Sequence, residues 1–182
     1  MHTTSEVDFG RKFTYISVTM AMDVYQYYKT NLIIWISILS GVVVLMVMVV
    51  AMNYGQFLYE YNFTALASEG IYILAIGLAC TILFLKRSVF RLDKILDRGS
   101  VLATVIEKKN YIFSQLRRNY IIIWVLSEIL GILGFIFYLF TSDLRNSILF
   151  SAVSIFSLVT NFPSKRMIRI CLENINPAEQ FL

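Results

Sequence analysis

A chain of 182 residues that is 58% hydrophobic and only 15% charged, with long stretches carrying no charge, is too apolar for a water-soluble domain. Its net charge of +4 comes from Lys and Arg grouped beside the apolar runs, which points to membrane topology and anionic headgroups rather than nucleic acid. With two cysteines and one histidine there is no disulfide framework, metal quartet or histidine-ligated haem to expect, and no cofactor is implied.

Residues 1–30 read as an N-terminal arm. From Phe13 to Tyr28 aromatic and aliphatic side chains recur among polar ones, which predicts an interfacial helix leading into the membrane. An uncharged run over residues 32–52 is the first span, with Lys29 and Trp35 at its start. About 20 such residues cross ~30 Å of hydrocarbon at ~1.5 Å each. The Tyr- and Phe-rich connection that follows has no Lys or Arg and reads as an outside loop. The second span covers residues 65–85, with Glu69 near its outer end and small residues that permit close helix contact, Gly77 among them.

Residues 86–119 carry Lys86, Arg87, Arg91, Lys94, Arg98, Lys108, Lys109, Arg117 and Arg118 against only Asp93, Asp97 and Glu107. This excess places the segment in the cytoplasm, and both termini with it. Apolar residues recur at helical spacing on either side of Gly99-Ser100, so the expectation is a cytoplasmic helical hairpin extending the second and third spans, with its turn at Gly99. Arg87, Arg91, Lys94 and Arg98 are expected to contact lipid headgroups or a protein partner. The third span is residues 120–140 and the fourth 144–162, joined by Thr141, Ser142 and Asp143 and ended by Pro163. A cytoplasmic tail, 163–182, follows and can begin as a short interfacial helix. The fold class is all-α: a polytopic membrane protein whose domain 31–162 is a four-transmembrane-helix bundle.

Glu128 is the one carboxylate deep inside a span. Eight residues from Tyr120 put it about 12 Å into the bilayer. A charge there costs about 2.5–3.5 kcal/mol on insertion scales, so it must face other helices or be neutralised. Depth matching nominates Ser40, Thr81 and Ser154 as its hydroxyl partners in a candidate ion-binding set. Ser127 with Gly131, Gly134, and Ser147 with Ser151 mark helix-packing faces.

The stretch Glu128-Ile-Leu-Gly131-Ile-Leu-Gly134-Phe-Ile-Phe resembles the second helix of the rotary ATPase proteolipid, the c-type subunit. That resemblance implies an ion-binding role for Glu128. It is confined to this stretch, and the long basic connection 86–119 departs from that family. The whole chain looks more like small four-span bacterial membrane proteins of unassigned function, which share an acid-and-glycine third span and an aromatic-proline-basic step, here Phe162-Pro163-Ser164-Lys165-Arg166. This implies a multi-pass location in the bacterial inner membrane.

Paired cysteines, buried histidines and a first-span acid are all absent, which argues against the familiar four-span enzymes and drug exporters. The sequence therefore points to a non-catalytic membrane subunit or scaffold that packs against other membrane subunits, against copies of itself, and against lipid. The alternative is a proton- or Na⁺-translocating oligomer working through Glu128.

Overall fold

The computed structural model describes residues 5–55, 65–101 and 104–175, and every regular element among them is helical. The helices are α1 (Ser5–Tyr54), α2 (Ala65–Phe84), α3 (Leu92–Ser100), α4 (Val105–Thr141), α5 (Leu144–Thr160) and α6 (Lys165–Ile175). Most of the expected outside loop and the end of the tail lie outside the described residues.

Three of these helices are long and apolar enough to cross a bilayer: α1 from Tyr25, α2 with the turn after it, and α4. At 17 residues α5 is apolar but shorter, about 25 Å at the helical rise.

Two boundaries differ from expectation. The N-terminal arm and the first apolar run form one unbroken helix, α1. Between Arg11 and Ser40 the chain has no Gly or Pro, so nothing interrupts the backbone ladder. The hairpin turn does not fall at Gly99, which lies inside α3 with no positive φ. Gly99 is buried there because a Cβ would stand 3.2 Å from the Ile112 side chain. The helix α3 instead runs on through Ser100, and Thr104 starts α4 with a capping box. Its hydroxyl accepts from Glu107 N at 3.2 Å, while Thr104 N donates to the Glu107 carboxylate at 3.3 Å. Two N-terminal backbone donors are satisfied reciprocally.

The expected continuity from α2 into the basic segment is also broken. A π-helical turn over Leu85–Val89 closes with Phe90 N donating to Leu85 O at 2.8 Å, and Arg91 is extended. The α4–α5 connection is tight. Ser142 adopts the left-handed conformation (φ 55°) that closes α4, and the Asp143 side chain caps α5 by accepting from Asn146 N.

Packing converges on α4, which contacts each of the other helices. Val42, Trp124 and Leu158 form one buried cluster, between α1, α4 and α5. Ala75, Leu130, Phe137 and Phe150 form a second, between α2, α4 and α5. The third lies at the basic end of α4. There Tyr27, Ile95, Ile112, Phe113, Leu116, Ile168 and Cys171 join α1, α3, α4 and α6.

Candidate functional site

Two regions hold the chemically distinctive residues. The first is the seam around Glu128. Helical spacing puts Ser127, Gly131 and Gly134 on the buried side of α4. At Gly134 a Cβ would stand 2.9 Å from Phe150 Cβ and 3.1 Å from Ser147 O. At Gly131 it would meet Val42 at 3.1 Å and Ser154 Oγ at 3.2 Å. These glycines therefore let α5, and at Gly131 also α1, approach the α4 backbone. Ser147 and Ser151 are buried on the facing side of α5. The Ser127 and Ser157 hydroxyls pair at 2.7 Å, and Ser154 Oγ donates to Ser127 O at 2.5 Å.

Glu128 sits at the edge of this seam, half-buried. Its Oε1 would lie 3.4 Å from a Cβ built on Gly41 of α1. Its carboxylate accepts no hydrogen bond from the described residues. The three hydroxyls nominated as partners are committed elsewhere. Ser40 donates to Ser37 O, Thr81 to Gly77 O, and Ser154 to Ser127 O. Ser40 and Thr81 satisfy themselves on the preceding turn of their own helices, a local option that matching by depth overlooks, whereas Ser154 reaches across from α5 to α4. Thr81 and Ser40 are both exposed, and Gly77 has no atom within 4 Å of its Cβ position.

The second region is the basic end. The C-terminus of α5 leaves backbone carbonyls without helical partners, and three other elements supply donors. Trp35 Nε1 donates to Leu158 O at 2.9 Å, and Trp124 Nε1 donates to Asn161 O at 2.9 Å. Lys86 Nζ reaches Thr160 O at 3.4 Å. The Asn161 side chain donates to Ser157 O at 2.7 Å. Trp124 is wholly buried, so its N–H would be costly to leave unpaired. Trp35 reads from sequence as an interface anchor; its role, with Trp124, as a cap for α5 carries no local signal.

Beside these caps two tyrosines of α1, Tyr27 and Tyr28, dock. The Tyr27 ring stacks on Phe113 with centroids 4.8 Å apart, and the Arg117 guanidinium lies 5.1 Å from the Tyr27 centroid. Lys165 of α6 lies over Tyr28 at 4.9 Å. Cys171 is fully buried in this cluster, and burial pushes its thiol up to about 11. It is protonated and unreactive at neutral pH.

Arg87, Arg91, Lys94 and Arg98 are exposed. The structure separates their surroundings. Arg91 lines a cavity of about 360 Å³ with Lys86, Asn119, Tyr120 and Phe162. Lys94 and Arg98 line a neighbouring cavity of about 190 Å³ with Arg118 and, again, Asn119. Arg87 lines neither. No group of His, Cys, Asp and Glu among the described residues could hold a metal ion.

No protein-family model, no curated protein and no solved structure matches the chain, so the residues above must carry the functional reading by themselves.

Proposed function

We propose that this chain is a four-span, non-catalytic subunit or scaffold of a bacterial inner membrane, with both termini and the 86–119 helical hairpin in the cytoplasm. The three long apolar helices support the membrane location. The fourth span is α5, lengthened by its capping turn and by Asn161–Pro163, and sheltered against α1 and α4. The cations of the basic end keep their side in the cytoplasm.

The observation that carries the subunit reading is the uneven cover of the helices. In the most apolar stretch of α1 and of α2 only 11% of residues are buried, against 39% in α4. Ile73, Ile76, Leu83 and Phe84 all face outward from α2, with small Gly77 among them. Lipid, other membrane subunits or a second copy of the chain cover this surface.

Cys80 is exposed on α2 and Cys171 is buried, so a thiol-directed photocrosslinker in native membranes would report on the α2 face. A discrete protein adduct is expected. Lipid adducts alone, with a monomer isolated in mild detergent, would refute the subunit reading. Reporter fusions after Gly99 and at the C-terminus test the threading, which fails if either emerges on the far side.

One observation favours a second reading, proton or Na⁺ translocation by an oligomer. Glu128 is half-buried on an apolar helix against Gly41, with no donor among the described residues. An intramembrane carboxylate left in that state is a functional candidate. On this reading, carbodiimide labels Glu128 and added ions protect it. Glu128→Gln then abolishes flux in vesicles while the protein still folds, and equal flux in the variant removes the reading.

A further inference from the structure

We propose that the cavity of about 360 Å³ between the segment that follows α2, the middle of α4 and the C-terminal end of α5 binds one anionic glycerophospholipid. Its phosphate sits between Lys86 and Arg91, and a headgroup hydroxyl donates to Asn119. This rests on the membrane reading above and adds a defined ligand site to it.

Three features of the cavity lead there. Its rim is cationic. Lys86 spends one of its three donors on Thr160 O at a long 3.4 Å. Arg91 makes no salt bridge with any described residue, and Asp93 and Asp97 line neither this cavity nor its neighbour. Two cations facing a shared space without a carboxylate suit a phosphodiester.

Its wall is apolar. Phe90, Leu116, Ile123 and Phe162 line it alongside the cations. Ile123 and Phe162 stand beside the apolar course of α4 and α5, where acyl chains would run. A free phosphate would leave these side chains facing water, whereas a lipid covers them.

Its buried polar group points to the headgroup. Asn119 is only 7% exposed, and its Oδ1 is buried with no hydrogen-bond partner. A buried acceptor in that state costs free energy until a donor reaches it. A headgroup hydroxyl, as in phosphatidylglycerol, is such a donor; phosphatidic acid has no alcohol hydroxyl beyond its phosphate to reach it. Asn119 also borders the second cavity, where Lys94, Arg98 and Arg118 add positive charge. The whole region therefore favours an anion over a zwitterion.

The test uses the full-length protein in mild detergent, with defined lipids added and retention read by native mass spectrometry. One phosphatidylglycerol is expected to remain bound, in preference to phosphatidylcholine. Lys86→Gln with Arg91→Gln should weaken binding about thirtyfold, from about fivefold per cation. Asn119→Leu, of similar size, should keep phosphate binding but lose the preference for phosphatidylglycerol over phosphatidic acid. Arg87→Gln with Arg169→Gln removes as much charge at exposed residues that line neither cavity and should leave retention within about twofold, because attraction falls off with distance. Equal losses in the two double variants would overturn the site, leaving only general attraction to the surface. Displacement by soluble glycerol phosphate at the same concentration would also overturn it, in favour of a soluble phosphate ester. Carbonate extraction of the same variants reports membrane insertion separately, so failure of the site and failure of the membrane reading are told apart.

Discussion

The Glu128 seam and the basic end are both built around α4, yet they close in opposite ways. At the seam, Gly134 brings α4 so near α5 that a methyl group would force a shift, and at Gly131 one would press on Val42 and Ser154 at 3.1–3.2 Å. The hydroxyls of Ser127, Ser154 and Ser157 there pair with one another or with carbonyls, and Ser147 Oγ alone among the described seam serines is buried without a partner. At the basic end, large aromatics and long cations meet at wider spacing. They leave cavities and buried polar atoms without partners, among them Arg117 Nε and Asn119 Oδ1. The proposed threading explains the contrast. Within lipid, apolar contact gives little net attraction, so helices associate through close fit and interhelical hydrogen bonds. Beyond the hydrocarbon, burying Ile112, Leu116 and Ile168 away from water stabilises by about 1.5–3 kcal/mol per side chain. That end tolerates looser packing and can keep space for a ligand.

The largest test of this contrast is Gly134→Leu. With Phe150 Cβ only 2.9 Å and backbone Ser147 O 3.1 Å from the Cβ position, overpacking should cost about 3 kcal/mol or more and separate α5 from α4. Gly77→Leu, with no atom within 4 Å, should leave the melting temperature in detergent unchanged. Similar losses at both glycines would break the distinction. Next, Trp124→Phe strips a donor from Asn161 O and leaves that carbonyl buried. The expected cost is about 1–3 kcal/mol, read as a lowered midpoint in thermal or SDS unfolding.

A smaller effect is confined to the basic end and depends on pH. The folded state accepts the Cys171 thiol only in its neutral form. Its contribution is intact below the ordinary value of 9.0 and is lost as pH rises through about 11. Thiol labelling of Cys171 should be slow at pH 8 and rise steeply as α6 undocks above pH 9. In Cys171→Ala the alkaline loss of stability attributable to this thiol should disappear; if it persists unchanged, another group is responsible. The smallest effect is expected at Ser127→Ala. It removes the hydroxyl pair with Ser157 at about 0.6 kcal/mol, the average for such bonds in membrane helices. A double-mutant cycle with Ser157→Ala would measure it.

Much of the helix layout was legible in the chain itself. The uncharged run before Met52 and the Pro163 stop are written in residue type and length, because hydrocarbon thickness and proline sterics act locally. So is the 141–143 turn. The Thr104-x-x-Glu107 capping box is written there too, in residue type and spacing. Other features depended on neighbours. Gly99 reads as a turn residue until Ile112 occupies the space where its side chain would be. Ser40, Thr81 and Ser154 share a depth with Glu128, but each hydroxyl binds the nearest carbonyl geometry offers. The indole caps on α5 join residues more than thirty positions apart, and the cavity around Asn119 is bounded by the π-helical turn, the start of α3, the middle of α4 and the end of α5. Periodicity states which face of a helix avoids water. Only the folded arrangement decides which atom meets that face, because hydrogen bonds and steric contact act over a few ångströms between segments distant in sequence.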